Sequence, residues 1–470
     1  MTKTNNKTTR RTFIAQTGMI SAGITLGVNP VSAKSYKTII GSNDRIRVGF
    51  IGVGNRGTQL LHIFMNQPDC EIAALCDVYE PYITRDRSKV NPRYVKDRPG
   101  QIPAMAETFP NKVERYSDYR KLLENKNIDA VCIATPDHWH ALMTVDAIKA
   151  GKDVYIEKPL SKTIHEGRVM VETQKNSKQI VTVGLNRRAA SSFQKLAIDI
   201  PAGKIGKVTF ASTCYVGNMF PFGIGKMKPE NPPADFNWDA WLGPRAYRPY
   251  QYNIAPYMFR WWNDYSSQIA NNGVHYLDLM RWMMNEQAPV SICASGGKYA
   301  VDDDRTIPDT LQVTYEFGSG ALFTINVLEA SYGSFVSDGF IELRGTKGTL
   351  CTNENSYKIV PTRPGQFQSW DKLMDGEENN PAIKDNLLPD GSSRDSTTNM
   401  IRNFLDCIKS RKTPYCTLED GHRSTSLAHL ANIALATKQR LQWDPAKERF
   451  TNSEEANKLL HYEYRKPWNL

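Results

Sequence analysis

The sequence predicts an α/β protein in two parts: a parallel sheet with interleaved helices over residues 45–185, then an α+β domain over residues 186–470 with a large, mostly antiparallel open sheet. Three observations predict it. Arg45-Ile46-Arg47-Val48-Gly49-Phe50-Ile51 reads as a buried strand and runs directly into Gly52-Val53-Gly54-Asn55-Arg56-Gly57. Strand-like and helix-like runs then alternate as far as Ile156, as a parallel sheet with crossover helices requires. Beyond residue 186 the β-like runs are joined by tight turns such as Gly318-Ser319-Gly320.

The first part begins with the glycine motif. A lone GxGxxG is weak, but here a strand precedes it and the helix-periodic Thr58-Gln59-Leu60-Leu61-His62-Ile63-Phe64 follows. Gly52 permits the turn, Gly54 lets backbone N–H groups approach a pyrophosphate, and Gly57 lets helix and strand pack closely. Asn55 and Arg56 lie inside the same loop. This is the fingerprint of a Rossmann dinucleotide-binding domain. The next strand, Glu71 to Cys76, ends in Asp77, 25 residues after Gly52, where a carboxylate binds ribose hydroxyls. A carboxylate there repels a 2′-phosphate, so NAD is favoured over NADP; Arg85 and Arg87 nearby temper that preference. Asp129 to Ala134 is a buried strand whose end, Thr135-Pro136-Asp137-His138-Trp139-His140, belongs where such sheets bind ligands. A helix from Ala141 to Ala150 and the strand Asp153 to Ile156 lead to Glu157-Lys158-Pro159.

Composition limits the alternatives. The chain has 470 residues, enough for two ordinary cores, with 40% hydrophobic and 23% charged residues. No apolar run is long enough for a mature membrane span. The formal charge is +10, of which four positive charges (Lys3, Lys7, Arg10, Arg11) lie in the first 33 residues. No basic stripe with interleaved aromatics appears, so a nucleic-acid partner is not expected. The eight cysteines form no CxxC pair and several sit in apolar strands, so neither a zinc site nor an essential disulfide is expected. His138 and His140 lie close together but lack a third ligand, and no HExxH occurs; no metal is expected.

The first residues read as an address. Thr9-Arg10-Arg11-Thr12-Phe13-Ile14 is a twin-arginine pattern, a weakly apolar stretch runs from Ala15 to Val28, and Val31-Ser32-Ala33 is a small-x-small cleavage site. Residues 1–33 are therefore expected to be a twin-arginine signal peptide, with the export machinery as a partner and the periplasm as destination. Such export suits a protein that folds around its cofactor first.

Glu157-Lys158-Pro159 and Asn271-Asn272-Gly273-Val274-His275-Tyr276-Leu277-Asp278 add a resemblance. In order with the glycine motif and the Thr135-Pro136…His140 strand end, they resemble the glucose–fructose oxidoreductase/inositol dehydrogenase (Gfo/Idh/MocA) family from about Arg45 onward. Trp238-Asp239-Ala240-Trp241-Leu242-Gly243-Pro244, Arg344-Gly345-Thr346-Lys347-Gly348 and Tyr464-Arg465-Lys466-Pro467-Trp468 resemble its twin-arginine-exported branch.

The resemblance implies a nicotinamide-dependent oxidoreductase acting on a sugar, glycoside or cyclic polyol, commonly as a homodimer or homotetramer. It implies that Lys158 lies near the nicotinamide and the reacting hydroxyl, and that His275 is an acid/base group. Gly52, Gly54, Asn55, Arg56, Gly57, Asp77, Thr135, Pro136, His140, Glu157, Lys158 and Asn186 are the expected cofactor contacts. His138, Trp139, Arg187, Arg188 and Tyr276 are the expected sugar contacts. The chemistry agrees: hydride leaves a carbinol carbon only as its hydroxyl proton is taken, and an ammonium at that oxygen stabilises developing charge. One departure stands out. The family usually has an aspartate four residues before the histidine; here it is Asn271, which cannot take a proton. Asp278, one turn beyond His275, is a candidate to orient it. An offshoot of the same fold is a glycosidase that uses bound NAD transiently; it typically lacks the lysine that this chain keeps. A non-catalytic sugar sensor is a third reading, opposed by the presence of Lys158 and His275.

In the second part, strands are expected at Lys207–Ser212, Val290–Ala294, Leu311–Phe317, Ala321–Val327, Phe340–Arg344 and Gly348–Leu350, with helices at Gly273–Met284, Ser396–Ser410 and Leu418–Lys438. Residues 218–256, rich in Pro, Gly and aromatics, are expected to form a long ordered loop near the site, and residues 362–396 a loop insertion.

Overall fold

A computed structural model describes residues 45–333, 340–354, 356–379 and 395–470. The expected signal segment, residues 1–33, lies outside the described residues, as does much of the expected insertion at 362–396. No helix among the described residues is long and apolar enough to cross a membrane.

The first sheet has six parallel strands in the order β3-β2-β1-β4-β5-β6: β1 Ile46–Ile51, β2 Cys70–Cys76, β3 Glu114–Tyr116, β4 Ala130–Ile133, β5 Asp153–Ile156 and β6 Val181–Val183. The order reverses between β1 and β4. Their carboxyl ends diverge there and leave a crevice, the usual ligand position in such sheets. Helix α1, Asn55–Met65, starts at this crevice and buries Leu60, Leu61 and Phe64 beneath it. Phe64 packs edge-on against Phe50, with ring centroids 5.4 Å apart. Gly52 has φ +85°, and a Cβ there would lie 2.8 Å from the Ala134 carbonyl; one on Gly57 would lie 2.0 Å from Gly52 O. Only glycine permits this turn.

Helix α2, Asp137–Lys149, begins four residues before the expected start at Ala141. Pro136, in extended conformation, caps it. The run Asp137-His138-Trp139-His140 is therefore the first helical turn rather than a loop, and all four residues are buried.

The second sheet has ten strands among the described residues. Its centre is β7 Val208–Val216, β8 Pro289–Gly297, β9 Thr310–Phe317 and β10 Leu322–Leu328. With β11 Ile341–Gly345, β12 Gly348–Thr352, β13 Tyr357–Pro361, β14 Glu377–Asn379, β15 Leu441–Asp444 and β16 Arg449–Phe450 at its flanks, the order is β14-β13-β12-β11-β7-β10-β9-β8-β15-β16. All neighbours pair antiparallel except β7 and β10. β9 and β10 meet at the expected Gly318-Ser319-Gly320 hairpin. Burial alternates along both strands, so one face is packed and the other open. Helices α3 (Val274–Met283) and α5 (Leu418–Thr437) cover the packed face, bringing Leu277, Met280, Leu427 and Ala431 against Val313, Tyr315 and Ile325. Between them in the chain, α4 (Ser396–Ser410) returns to the first sheet: Phe404 packs on Phe64 and Tyr155, and Arg402 pairs with Asp69 at 2.7 Å. The packing layers thus do not divide cleanly at residue 186.

Two expected site residues belong to this scaffold. Arg188 donates from Nε and Nη2 to both oxygens of Asp278 (2.8–3.1 Å), and both side chains are almost wholly buried. Asp278 also accepts from Ser424, and Arg188 reaches Asp420 at 3.1 Å. The expectation that Asp278 orients His275 and that Arg188 meets the sugar is thus corrected: a buried guanidinium takes the nearest carboxylate to offset its desolvation. Asp278→Ala should destabilise the fold by about 3–5 kcal/mol, because it strands a buried charge. A denaturant midpoint measures this; unchanged stability with lost activity would instead return Asp278 to His275.

Candidate active site

Two adjoining cavities open at the crevice. The first, about 510 Å³, is lined by Gly52, Gly54, Asn55, Arg56, Asp77, Thr135, Pro136 and Glu157, and reaches Lys158 and Asn271. The second, about 310 Å³, is lined by Asn186, Arg187, His275 and Glu354, and shares Lys158, Asn55, Arg56, Tyr257 and Arg260 with the first. Lys158 is thus in the wall between them.

The first cavity fits a dinucleotide. Its glycine loop brings backbone within reach of a phosphate where any Cβ would clash. Asp77 accepts from the backbone N–H groups of Val53, Val78 and Tyr79 at 2.8–3.1 Å, which fixes its carboxylate at the end of β2. Burial raises its pKa, and these donors oppose the rise. The nearby cations are already committed. Arg85 bonds Glu107 (2.5 Å), Val53 O and Thr58 Oγ1, and Arg87 bonds Pro103 O. Neither lines the cavity, which fits NAD better than NADP.

A roof covers this cavity. Asn237 N donates to Val78 O (2.9 Å) and Glu80 N to Asp235 O (3.0 Å), stitching residues 235–242 to the end of β2. Phe236, Trp241 and the C-terminal Trp468 complete the lining. Trp468 packs edge-on against Trp139 at 4.8 Å, with Arg120 over its ring at 5.2 Å.

Lys158 stands at the end of β5. Its Nζ donates to the Asn271 carbonyl (2.7 Å) and to Asn271 Oδ1 (3.1 Å). Asn271 lies in a π-helical turn, Ile269–Gly273, that leads into α3. Burial pulls the Lys158 pKa down to about 8; Arg260 and Arg56 add to the shift and Glu157 opposes it. Glu157 is itself paired with Arg56 at 2.7 Å. His275 is held well below its ordinary pKa, first by burial and then by Arg187, Lys158 and Arg56. Its Nδ1 has no hydrogen-bond partner among the described residues. At neutral pH it is an uncharged base beside a buried, mostly ionised lysine.

The other expected residues fall elsewhere. His138 bonds the Trp241 carbonyl (2.9 Å) and burial pushes its pKa down to about 3; it lines neither cavity. His140 sits between the carbonyls of Pro159 (2.7 Å) and Thr135 (2.9 Å), bracing two strand ends without lining a cavity. Trp139 lines the first cavity and donates to Trp241 O. Asn186 lines the second cavity, not the nucleotide cavity, and is held by Ser396 and Thr397. Tyr276 lines neither; it packs under Arg187, whose guanidinium lies 4.7 Å from its ring. Gly57 lies beneath the loop. Sequence reasoning did not single out Arg260, Tyr257 or Glu354. Arg260 and Tyr257 lie at or just beyond the end of the aromatic loop foreseen near the site; Glu354 follows a hairpin strand and has no motif around it. All eight cysteines are free, and no cluster of three metal-ligating side chains occurs among the described residues.

Comparison with known proteins agrees with this geometry. Residues 46–185 match the profile of an oxidoreductase family with an NAD-binding Rossmann fold, and residues 259–442 match the α/β C-terminal domain of the same family. A myo-inositol 2-dehydrogenase of Thermotoga maritima is 25% identical over 401 residues, covering 84% of this chain and 98% of that one. An alpha-N-acetylgalactosaminidase of Shewanella oneidensis is 32% identical over 227 residues, covering 45% of this chain and 46% of that one. The chain thus spans about half the length of that relative. A levoglucosan dehydrogenase solved with NADH and levoglucosan superposes with a TM-score of 0.58 at 17% identity, covering 85% of this chain and 99% of that one, a likeness of fold. The two matched stretches together exceed half of the chain, which therefore belongs to the Gfo/Idh/MocA oxidoreductase family.

Proposed function

We propose that this protein oxidises a hydroxyl group of a sugar, glycoside or cyclic polyol, using NAD held in the first cavity. The observation that carries this reading is that Lys158 and His275 wall one small polar cavity directly beside the glycine-loop cavity. NAD, when bound, supplies the hydride acceptor. Neutral His275 takes the hydroxyl proton as the C–H bond breaks. The Lys158 ammonium donates to the same oxygen and stabilises its developing charge. Asn271 takes no proton; its two oxygens hold Lys158 in place. The product is a keto-sugar, and a second sugar or a partner protein re-oxidises the cofactor.

Export through the twin-arginine machinery to the periplasm belongs to this reading and rests on Arg10-Arg11 and the segment after them. An enzyme there finds no free nicotinamide pool, so its cofactor travels with it; the roof of residues 235–242 and Trp468 suits retention. The open face of the ten-stranded sheet suits a homodimer or homotetramer. A second reading, an NAD-dependent glycosidase, is favoured by the 32% identical stretch shared with the galactosaminidase. Incubation with aryl glycosides separates the two: the oxidoreductase yields a keto-glycoside with its aglycone attached, the glycosidase a free aglycone.

Lys158→Ala should lower kcat about 10²–10³-fold while nucleotide binding persists, measured by reduction of bound nicotinamide and by nucleotide content. The pH profile has a defined sign. Below a pKa of about 8 the lysine is an ammonium. Sugar oxidation should hold level through neutral pH and fall as pH rises through about 8. Lys158→Arg should remove that alkaline fall. A rate that climbs through pH 8 would make the neutral amine the base and contradict the assignment.

A further inference from the structure

We infer that the second cavity takes a sugar bearing an acidic group, held by Arg187 and Arg260. The inference rests on the oxidoreductase reading and adds the chemical class of its substrate. Four cations wall this cavity: Arg56, Lys158, Arg187 and Arg260. Their protein counter-charges are too few. Glu157 serves Arg56. Among the described residues Lys158 Nζ donates to the two neutral oxygens of Asn271, main-chain and side-chain, where a carboxylate in place of Asn271 would have balanced it. Arg260 stacks on Tyr257 at 4.0 Å and reaches the Tyr257 carbonyl at 3.4 Å, with no carboxylate partner among the described residues. Arg187 is mostly buried between the rings of Tyr276 and Phe340; its Nη1 has no hydrogen-bond partner, and its nearest carboxylate, Glu354, lies 3.9 Å from Nε. Among the described residues Glu354 is the only carboxylate in the wall, and it also accepts from Ser396.

Confined cations without anions are costly unless a ligand brings the charge. The dinucleotide is not that ligand. Its pyrophosphate belongs on the Gly52–Gly57 loop; Gly52 and Gly54 line the first cavity alone, Arg187 and His275 line the second alone, and Arg56, Lys158 and Arg260 stand at the boundary and line both. Guanidinium forks suit planar carboxylates and phosphates equally, so uronic acids and sugar phosphates share the required chemistry. The acidic group sits toward Arg187 and Arg260, leaving the reacting hydroxyl between Lys158 and His275. The anion also keeps the Lys158 ammonium charged while the hydroxyl proton leaves.

The test uses the purified protein with its bound nicotinamide, and three probes matched in ring stereochemistry: methyl glucoside, methyl glucuronide and methyl glucoside 6-phosphate, with the galacto series beside them. Reduction of the bound nicotinamide is followed by its fluorescence. At least one acidic probe should give kcat/KM 10-fold or more above its neutral counterpart; the better of the two acids identifies carboxylate or phosphate. Arg260→Gln should raise KM for the acid about 10- to 100-fold with little change in kcat, and Arg260→Lys should recover part of it. Neutral probes as good as the acids, or an Arg260→Gln variant that weakens both equally, would overturn the inference. If no probe is oxidised, calorimetry of the acids with the same protein still decides: saturable binding lost in Arg260→Gln upholds the acidic site and places the fault in the oxidoreductase reading, and absence of binding overturns the acidic site.

Discussion

The hydrogen bonds from Lys158 to Asn271 join the two halves of the candidate active site. The lysine leaves the last turn of a parallel strand, and the asparagine sits in a π-helical turn before the helix that carries His275. Neither half can hold an acid/base pair alone. A buried amine needs acceptors, and those it has among the described residues come from the other half of the fold. Satisfying Lys158 therefore also sets where His275 stands. The same burial lowers the lysine's pKa to about 8, so packing and reactivity have one cause.

Around that joint the fold keeps its structural charges apart from its reactive ones. Arg188, Arg281, Asp278, Asp420 and Ser424 form a largely buried network that ties α3 to α5. A second network links Arg305 and Asp303 to Glu329, Trp261 and Gln268, fixing the chain just ahead of the π-turn. The cations left over, Arg187 and Arg260, face the small cavity. That division lets the site carry net positive charge without loosening the scaffold.

Much of this was legible in the sequence, and the reasons differ by residue. The glycine loop was readable because its geometry excludes side chains at Gly52 and Gly57. The strands were readable from period-two burial, as in β9 and β10. Lys158 and His275 were readable only through the order of several motifs. His138 and Arg188 were misplaced because their type suits a site while their surroundings suit a core. Helix α2 starts early and turns His138 inward, and Asp278 captures Arg188. Arg260, Glu354 and the roof were out of reach because long-range contacts put them there. Trp468 meets Trp139 across more than 300 residues of chain, and no local pattern encodes that meeting.

The central claim is that the first cavity retains NAD as the hydride acceptor. The most direct measurement purifies the protein without added cofactor, denatures it, and identifies the released nucleotide by mass and absorbance. The account predicts close to one NAD(H) per chain. NADP(H) in its place would contradict the reading of Asp77 and the committed arginines, and a protein that carries neither nucleotide and binds neither when offered would contradict the oxidoreductase itself.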